Sequence, residues 1–114
     1  SHLSAIRMRG APFFLSETHI RNQFQVRIIN KSNHTAEFEL GINSETEGLL
    51  TSGLDESFEV EALGEILQTL VFQCPIDEYE GGFPIHLTLN NTETDSSKSI
   101  SISFIGPDPR LLGD

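Results

Sequence analysis

The sequence predicts an all-β protein in which two antiparallel sheets pack face to face. Three observations carry this. Apolar and polar residues alternate with period two in segment after segment, no stretch of convincing length repeats at the helical period, and polar clusters rich in Asn, Ser, Asp and Gly separate the alternating runs. Period two sends successive side chains to opposite faces, so each strand has a wet face and a dry one. The dry faces need a second sheet to cover them. A chain of 114 residues is one domain's worth, and 37 % hydrophobic against 21 % charged residues suffices for one core.

The elements follow in order. Leu3 to Met8 reads as an additional first strand, and Pro12, which offers no ladder donor, fits an edge or a strand switch. Phe24, Val26 and Ile28 then share one side of a strand, with Gln23, Gln25 and Arg27 on the other. Asn30-Lys31-Ser32-Asn33 is rich in residues that satisfy their own backbone in turns, and reads as a hairpin loop. It leads to Ala36, Phe38, Leu40 and Ile42, with Glu37 and Glu39 facing water. Phe58 and Val60 alternate with Glu59 and Glu61. After Gly64 the run EILQTLVFQC is apolar on nearly every residue, as expected of a strand covered on both sides or bulged. EYEGGF breaks the chain before Ile85, Leu87 and Leu89, which alternate with His86 and Thr88. NNTETDSS is the next loop, and Ile100, Ile102 and Phe104 alternate with Ser99, Ser101 and Ser103 up to Gly106-Pro107.

About seven strands spaced in this way, with polar turns, are best fitted by an immunoglobulin-like β-sandwich. The sequence has no tryptophan and no cysteine pair of the antibody type, so that likeness concerns architecture. Residues 3–107 form the expected single domain, 108–114 a C-terminal tail, and Ser1-His2 reads as a vector-derived remnant.

Composition removes some functions. Seventeen acidic against seven basic residues give a net charge of −10, which repels phosphate backbones and anionic lipid heads, so nucleic acid is excluded as a partner. One cysteine, Cys74, has no partner for an internal disulfide, and the core is held by packing. A reducing compartment and a bacterial periplasm both tolerate that. There is no apolar run long enough to span a bilayer and no charged-plus-apolar leader, so export is expected to depend on a neighbouring segment.

No catalytic, cofactor-binding or metal residues are expected from the sequence. His2, His19, His34 and His86 are far apart and lack zinc-ligand spacing. Copper ligation of the cupredoxin kind needs a thiolate, a closely following His and an axial Met. Cys74 and His86 are separated by a loop and half a strand, and the only methionine, Met8, precedes both. A buried thiol is the expectation. No serine sits in a Gly-x-Ser-x-Gly elbow, and Asp55/Glu56 and Asp77/Glu78 are sequence neighbours, expected to diverge in a strand or to be solvated in a turn. PIDEYEGG lacks the alternate-position Asp/Asn ladder of a calcium loop. Three triplets of glycosylation type, beginning at Asn30, Asn33 and Asn90, read as turn chemistry.

RMRGAPFF at 7–14, IRNQFQVRIINKSN at 20–33 and the closing ISISFIGP at 100–107, taken in order, resemble the C-terminal immunoglobulin-like domain of the FixG/CcoG family, the cytochrome c oxidase accessory proteins. The elements of the resemblance are the Arg7-x-Arg9 lead, the Ile20-Arg21-Asn22 strand entry, the Asn30-Lys31 turn and the Phe104 to Pro107 closure. SETH at 16–19 departs from the Asp-Gly turn often found there.

The resemblance implies a multi-pass membrane parent with ferredoxin-like iron–sulfur clusters, which assists assembly of a terminal oxidase by reducing copper for delivery. Those clusters belong to cysteines upstream, and no cofactor is expected in this chain. The chain is then a non-catalytic, periplasmic interaction domain tethered to the inner membrane, with oxidase subunits or assembly factors as protein partners. Arg7 and Arg9 would lie near the membrane, or simply be solvated. Two readings compete: a generic extracytoplasmic adhesion or spacer module of fibronectin or bacterial cell-adhesion type, and a metal-carrying domain using Cys74 and His86.

Overall fold

A computed structural model describes residues 1–54 and 57–112. It contains nine strands: β1 (His2–Arg7), β2 (Phe14–Leu15), β3 (His19–Ile29), β4 (Ala36–Asn43), β5 (Leu50–Ser52), β6 (Phe58–Val60), β7 (Glu65–Pro75), β8 (Phe83–Asn91) and β9 (Ser97–Phe104). One sheet is ordered β1-β3-β7-β5, with β2 also paired to β3, and the other β6-β4-β8-β9. Every pairing is antiparallel. The expected two-sheet, immunoglobulin-like sandwich is thus present, with nine strands in place of about seven. The additional two, β2 and β5, are two and three residues long, too short for alternation to register.

The dry faces are the expected ones. Phe24, Val26 and Ile28 of β3 are buried against Phe38 and Leu40 of β4, Ile85, Leu87 and Leu89 of β8, and Ile102 and Phe104 of β9 in one core. Phe24 meets Phe72 edge-on at 5.9 Å between ring centroids, and Phe83 stacks on Phe104 at 4.8 Å. Both are favoured aromatic arrangements.

Two expectations are corrected. β7 is neither bulged nor covered on both sides: it pairs with β3 in one unbroken register from His19↔Pro75 to Ile29↔Glu65. Its inward face is Leu70, Phe72 and Cys74, all buried, while Leu67 on the other face is 51 % exposed. The apolar run is therefore a core face plus an apolar outer face. The Asn30 to Asn33 segment, in turn, is no hairpin, because β3 and β4 lie in different sheets.

That segment is a crossover pinned by a buried side chain. The Asn30 amide donates to the carbonyls of His34, Val60 and Glu61, and its Oδ1 accepts from the Ser32 N–H and hydroxyl. Turn chemistry was legible, but turn residues satisfy their own backbone whether the next strand returns to the same sheet or crosses to the other.

Both ends of the described chain are integrated. His2 opens β1, opposite Ile29. Pro12 lies in the loop that interrupts the sheet edge between β1 and β2, consistent with its edge reading. Of the expected tail, Pro109–Leu111 form a 3-10 turn capped by the Asp108 carboxylate on the Arg110 N–H, and Leu112 packs against the core.

Candidate interaction surfaces

The residues singled out for chemistry do not converge. Cys74 faces the core from β7 and is fully buried, its thiol donating to the Pro75 carbonyl at 3.4 Å. Burial, and secondarily the Glu78 charge, push this thiol up, away from the reactive thiolate. His86 is exposed on the outer face of β8 in the opposite sheet, and Met8 follows β1 at the surface. His2 lies at the start of β1, His19 opens β3 and His34 lies in the crossover. Among the described residues no three His, Cys, Asp or Glu side chains are grouped so as to hold a metal.

A hydroxyl does meet an imidazole, Thr18 Oγ1 and His19 Nδ1 at 2.8 Å. These are exposed sequence neighbours, and among the described residues no carboxylate bonds to the ring to orient it as a base. The contact is a surface turn rather than the start of a triad.

A cleft of about 680 Å³ opens at one end of the sandwich, bordered by Glu45 and Glu47 after β4, by Asp77, Glu78 and Glu80 after β7, and by His86. Asp77 and Glu78 are solvated in a 3-10 turn, as expected of neighbouring carboxylates in a turn. Glu45 and Glu47 are thirty or more positions away in sequence, a separation at which local pattern gives no sign of proximity. Asp55 and Glu56, the other pair noted in the sequence, lie outside the described residues.

Arg7 has a role that solvation does not describe. Its guanidinium donates to the Pro12 carbonyl at 3.1 Å, to Asn22 Oδ1 at 2.6 Å and to the Ser103 carbonyl, and it covers the Phe24 ring at 4.6 Å. Partial burial lowers its pKa from the ordinary guanidinium value. Asn22, fully buried, also exchanges two bonds with the backbone of Ile105, at 2.8 and 3.0 Å. β1, β3 and the end of β9 are thus tied across the two sheets by one charged and one amide side chain. Gly106 follows directly, and a Cβ there would lie 2.9 Å from the Tyr79 ring and hydroxyl.

The outer faces of the two sheets differ. The second sheet presents Glu37, Glu39 and Glu59 beside Ser99, Ser101 and Ser103. The first presents Ile6, Phe14, Leu50 and Leu67, each more than 40 % exposed. Its charged residues along β3 and β7 are Arg21, Arg27 and Glu65. Arg27 pairs with Glu65 at 3.2 Å, whereas Arg21 rests over the Phe14 ring at 4.7 Å and has no ion pair among the described residues.

Of the glycosylation-type triplets, Asn30 is buried, and Asn91, beside the triplet that starts at Asn90, accepts from the N–H groups of Glu93 and Thr94 at the turn into β9. Asn30 and Asn91 are turn chemistry, whereas Asn90 itself lies in β8, opposite Glu39 and Ser97.

Comparison with known proteins places these features. A family model described as "IG-like fold at C-terminal of FixG, putative oxidoreductase" matches residues 1–107. Among solved structures, a FixG-related protein from Vibrio parahaemolyticus is similar, with a TM-score of 0.78 and 18 % identity over 91 % of this chain and 94 % of that one. The CupB2 chaperone of Pseudomonas aeruginosa gives a TM-score of 0.49 and 10 % identity over 78 % of this chain and 50 % of that one, too loose a likeness to argue from. No curated protein matches.

Proposed function

Given that the chain belongs to the family of immunoglobulin-like domains at the C-terminus of FixG, we propose that it is a non-catalytic interaction domain of a membrane-bound parent. In this reading the domain sits on the periplasmic side of a bacterial inner membrane and docks oxidase subunits or assembly factors. The parent's upstream iron–sulfur clusters supply the redox chemistry that assists oxidase assembly and copper delivery.

The observation that carries the reading is the pairing of dispersed reactive groups with a developed outer surface. Cys74 is sealed in the core while His86 lies on the opposite sheet, and exposed apolar side chains lie on a rigid sheet face. A site for bond-making needs groups brought within hydrogen-bond reach, whereas a docking site needs a firm surface with burial to gain. This chain has the second.

Deleting residues 6–107 from the parent tests it. Oxidase assembly is expected to fall while the iron–sulfur content of the parent stays unchanged. Unaltered assembly would remove the proposed role.

A further inference from the structure

The outer face of the first sheet has no cover among the described residues, yet it has the features of a surface that is covered. Among the described residues, all five large apolar side chains that are exposed within strands, Ile6, Phe14, Leu15, Leu50 and Leu67, belong to this sheet. Four of them lie on its outer side, in line with the outward residues of β3 and β7. Ile6 is opposite Gln25, Phe14 opposite Arg21, Leu67 opposite Arg27 and Leu50 opposite Gln73. In a molecule of net charge −10 this face carries one more cation than carboxylates along β3 and β7, so it is where a second acidic molecule of the same kind meets least repulsion.

We propose that this face docks a second copy of the chain, the two sheets packing back to back about a two-fold axis that runs across the strands near the Ile6–Gln25–Thr69 row. The inference goes beyond the docking role above and does not rest on it. Such an axis lays β7 over the partner's β7 in the reverse direction, so positions on either side of the central row exchange places. Ile6 then meets the partner's Ile6, and Leu67 the partner's Val71.

Charge follows the same geometry. Glu65 falls opposite the partner's Gln73, beside the partner's Arg21, because Gln73 and Arg21 are register partners. The unpaired guanidinium at one end of the face thereby reaches the carboxylate at the other end. No carboxylates are brought together, as they would be if Glu37, Glu39 and Glu59 of two copies met on the second sheet.

Size sets the strength. Strands of eleven residues run ~36 Å, and three strands are ~14 Å across, so the face offers roughly 500 Å² per copy. That is below the ~800 Å² per partner of standard interfaces, and the dimer is accordingly weak and dependent on concentration.

Sedimentation equilibrium of the 114-residue chain between about 10 μM and 1 mM covers the range expected of so small an interface. The weight-average mass should rise from 12.7 kDa toward twice that value. Leu67→Glu, and separately Ile6→Glu, should hold it at the monomer mass, with unchanged far-UV circular dichroism showing that the sandwich persists. Ser101→Glu, on the other outer face, should dimerise as the wild type does. Glu65→Arg should weaken association, and Arg21→Glu combined with Glu65→Arg should restore it. A wild-type chain that stays monomeric throughout overturns the proposal, leaving the face to a different partner. So does association that survives both apolar-to-Glu variants, or that Ser101→Glu abolishes.

Discussion

Asn22 is the side chain on which most depends. It is fully buried, accepts from Arg7 and from the Ile105 N–H, and donates to the Ile105 carbonyl. Truncation to alanine removes both of the Ile105 backbone's bonds to this side chain, and one of Arg7's three acceptors, where water has little access, a situation that costs about 2–4 kcal/mol. We expect Asn22→Ala to lower the urea midpoint by that much stability at unchanged slope, and a loss under ~0.5 kcal/mol would show that the clamp is incidental. Cys74 makes the complementary case. Its thiol pKa is raised in the fold, first by burial and then by Glu78, so the folded state holds its proton more tightly than the unfolded state. The stabilisation is present below the ordinary thiol pKa of 9.0 and is lost as pH rises above it toward the folded value. A native chain should resist a thiol-directed reagent at pH 8 and react stoichiometrically once unfolded, whereas rapid native labelling would mean that the thiol is reachable.

At the scale of elements, stability should follow position in the sheets. β3 and β7, paired over eleven residues and flanked on both edges, should exchange their amide hydrogens last, together with β4 and β8. The three-residue β5 and two-residue β2 should exchange first. Hydrogen exchange read by strand checks this, and early exchange in β3 would contradict the pairing. The same scale shows what the sequence discloses. Alternation locates β3, β4, β6, β8 and β9 and assigns their buried sides, because period two is a local property, whereas β7 is legible only as a continuous apolar run. Alternation does not assign partners. Asn30-Lys31-Ser32-Asn33 looks like a hairpin since its hydrogen bonds are local, and the bonds from Asn30 to Val60 and Glu61 that make it a crossover come from thirty residues away. β7 looked doubly covered since Leu67 and Val71 are apolar, and the absence of a layer above them is a tertiary fact. Arg7, Asn22 and the Phe104 to Pro107 closure each belong to the segments that carry the resemblance, and folding clusters them about the Arg7–Asn22–Ile105 clamp.

For the molecule as a whole, the reactive groups and the docking features are segregated. The thiol is inside and the carboxylates gather around one end and on the second sheet. Exposed Ile6, Phe14, Leu50 and Leu67 share the outer face of the first. Under the proposed function a body so divided docks a partner and leaves the chemistry to the parent, so the reactive side chains it does carry should be dispensable. The direct test is a parent protein in which Cys74→Ala, His19→Gln, His34→Gln, His86→Gln and Met8→Leu are combined, compared with the parent lacking residues 6–107, with oxidase assembly as the readout. The account predicts that the ligand-stripped parent supports assembly as the wild type does while the truncated parent does not. A ligand-stripped domain that remains folded but fails as the deletion fails would contradict it.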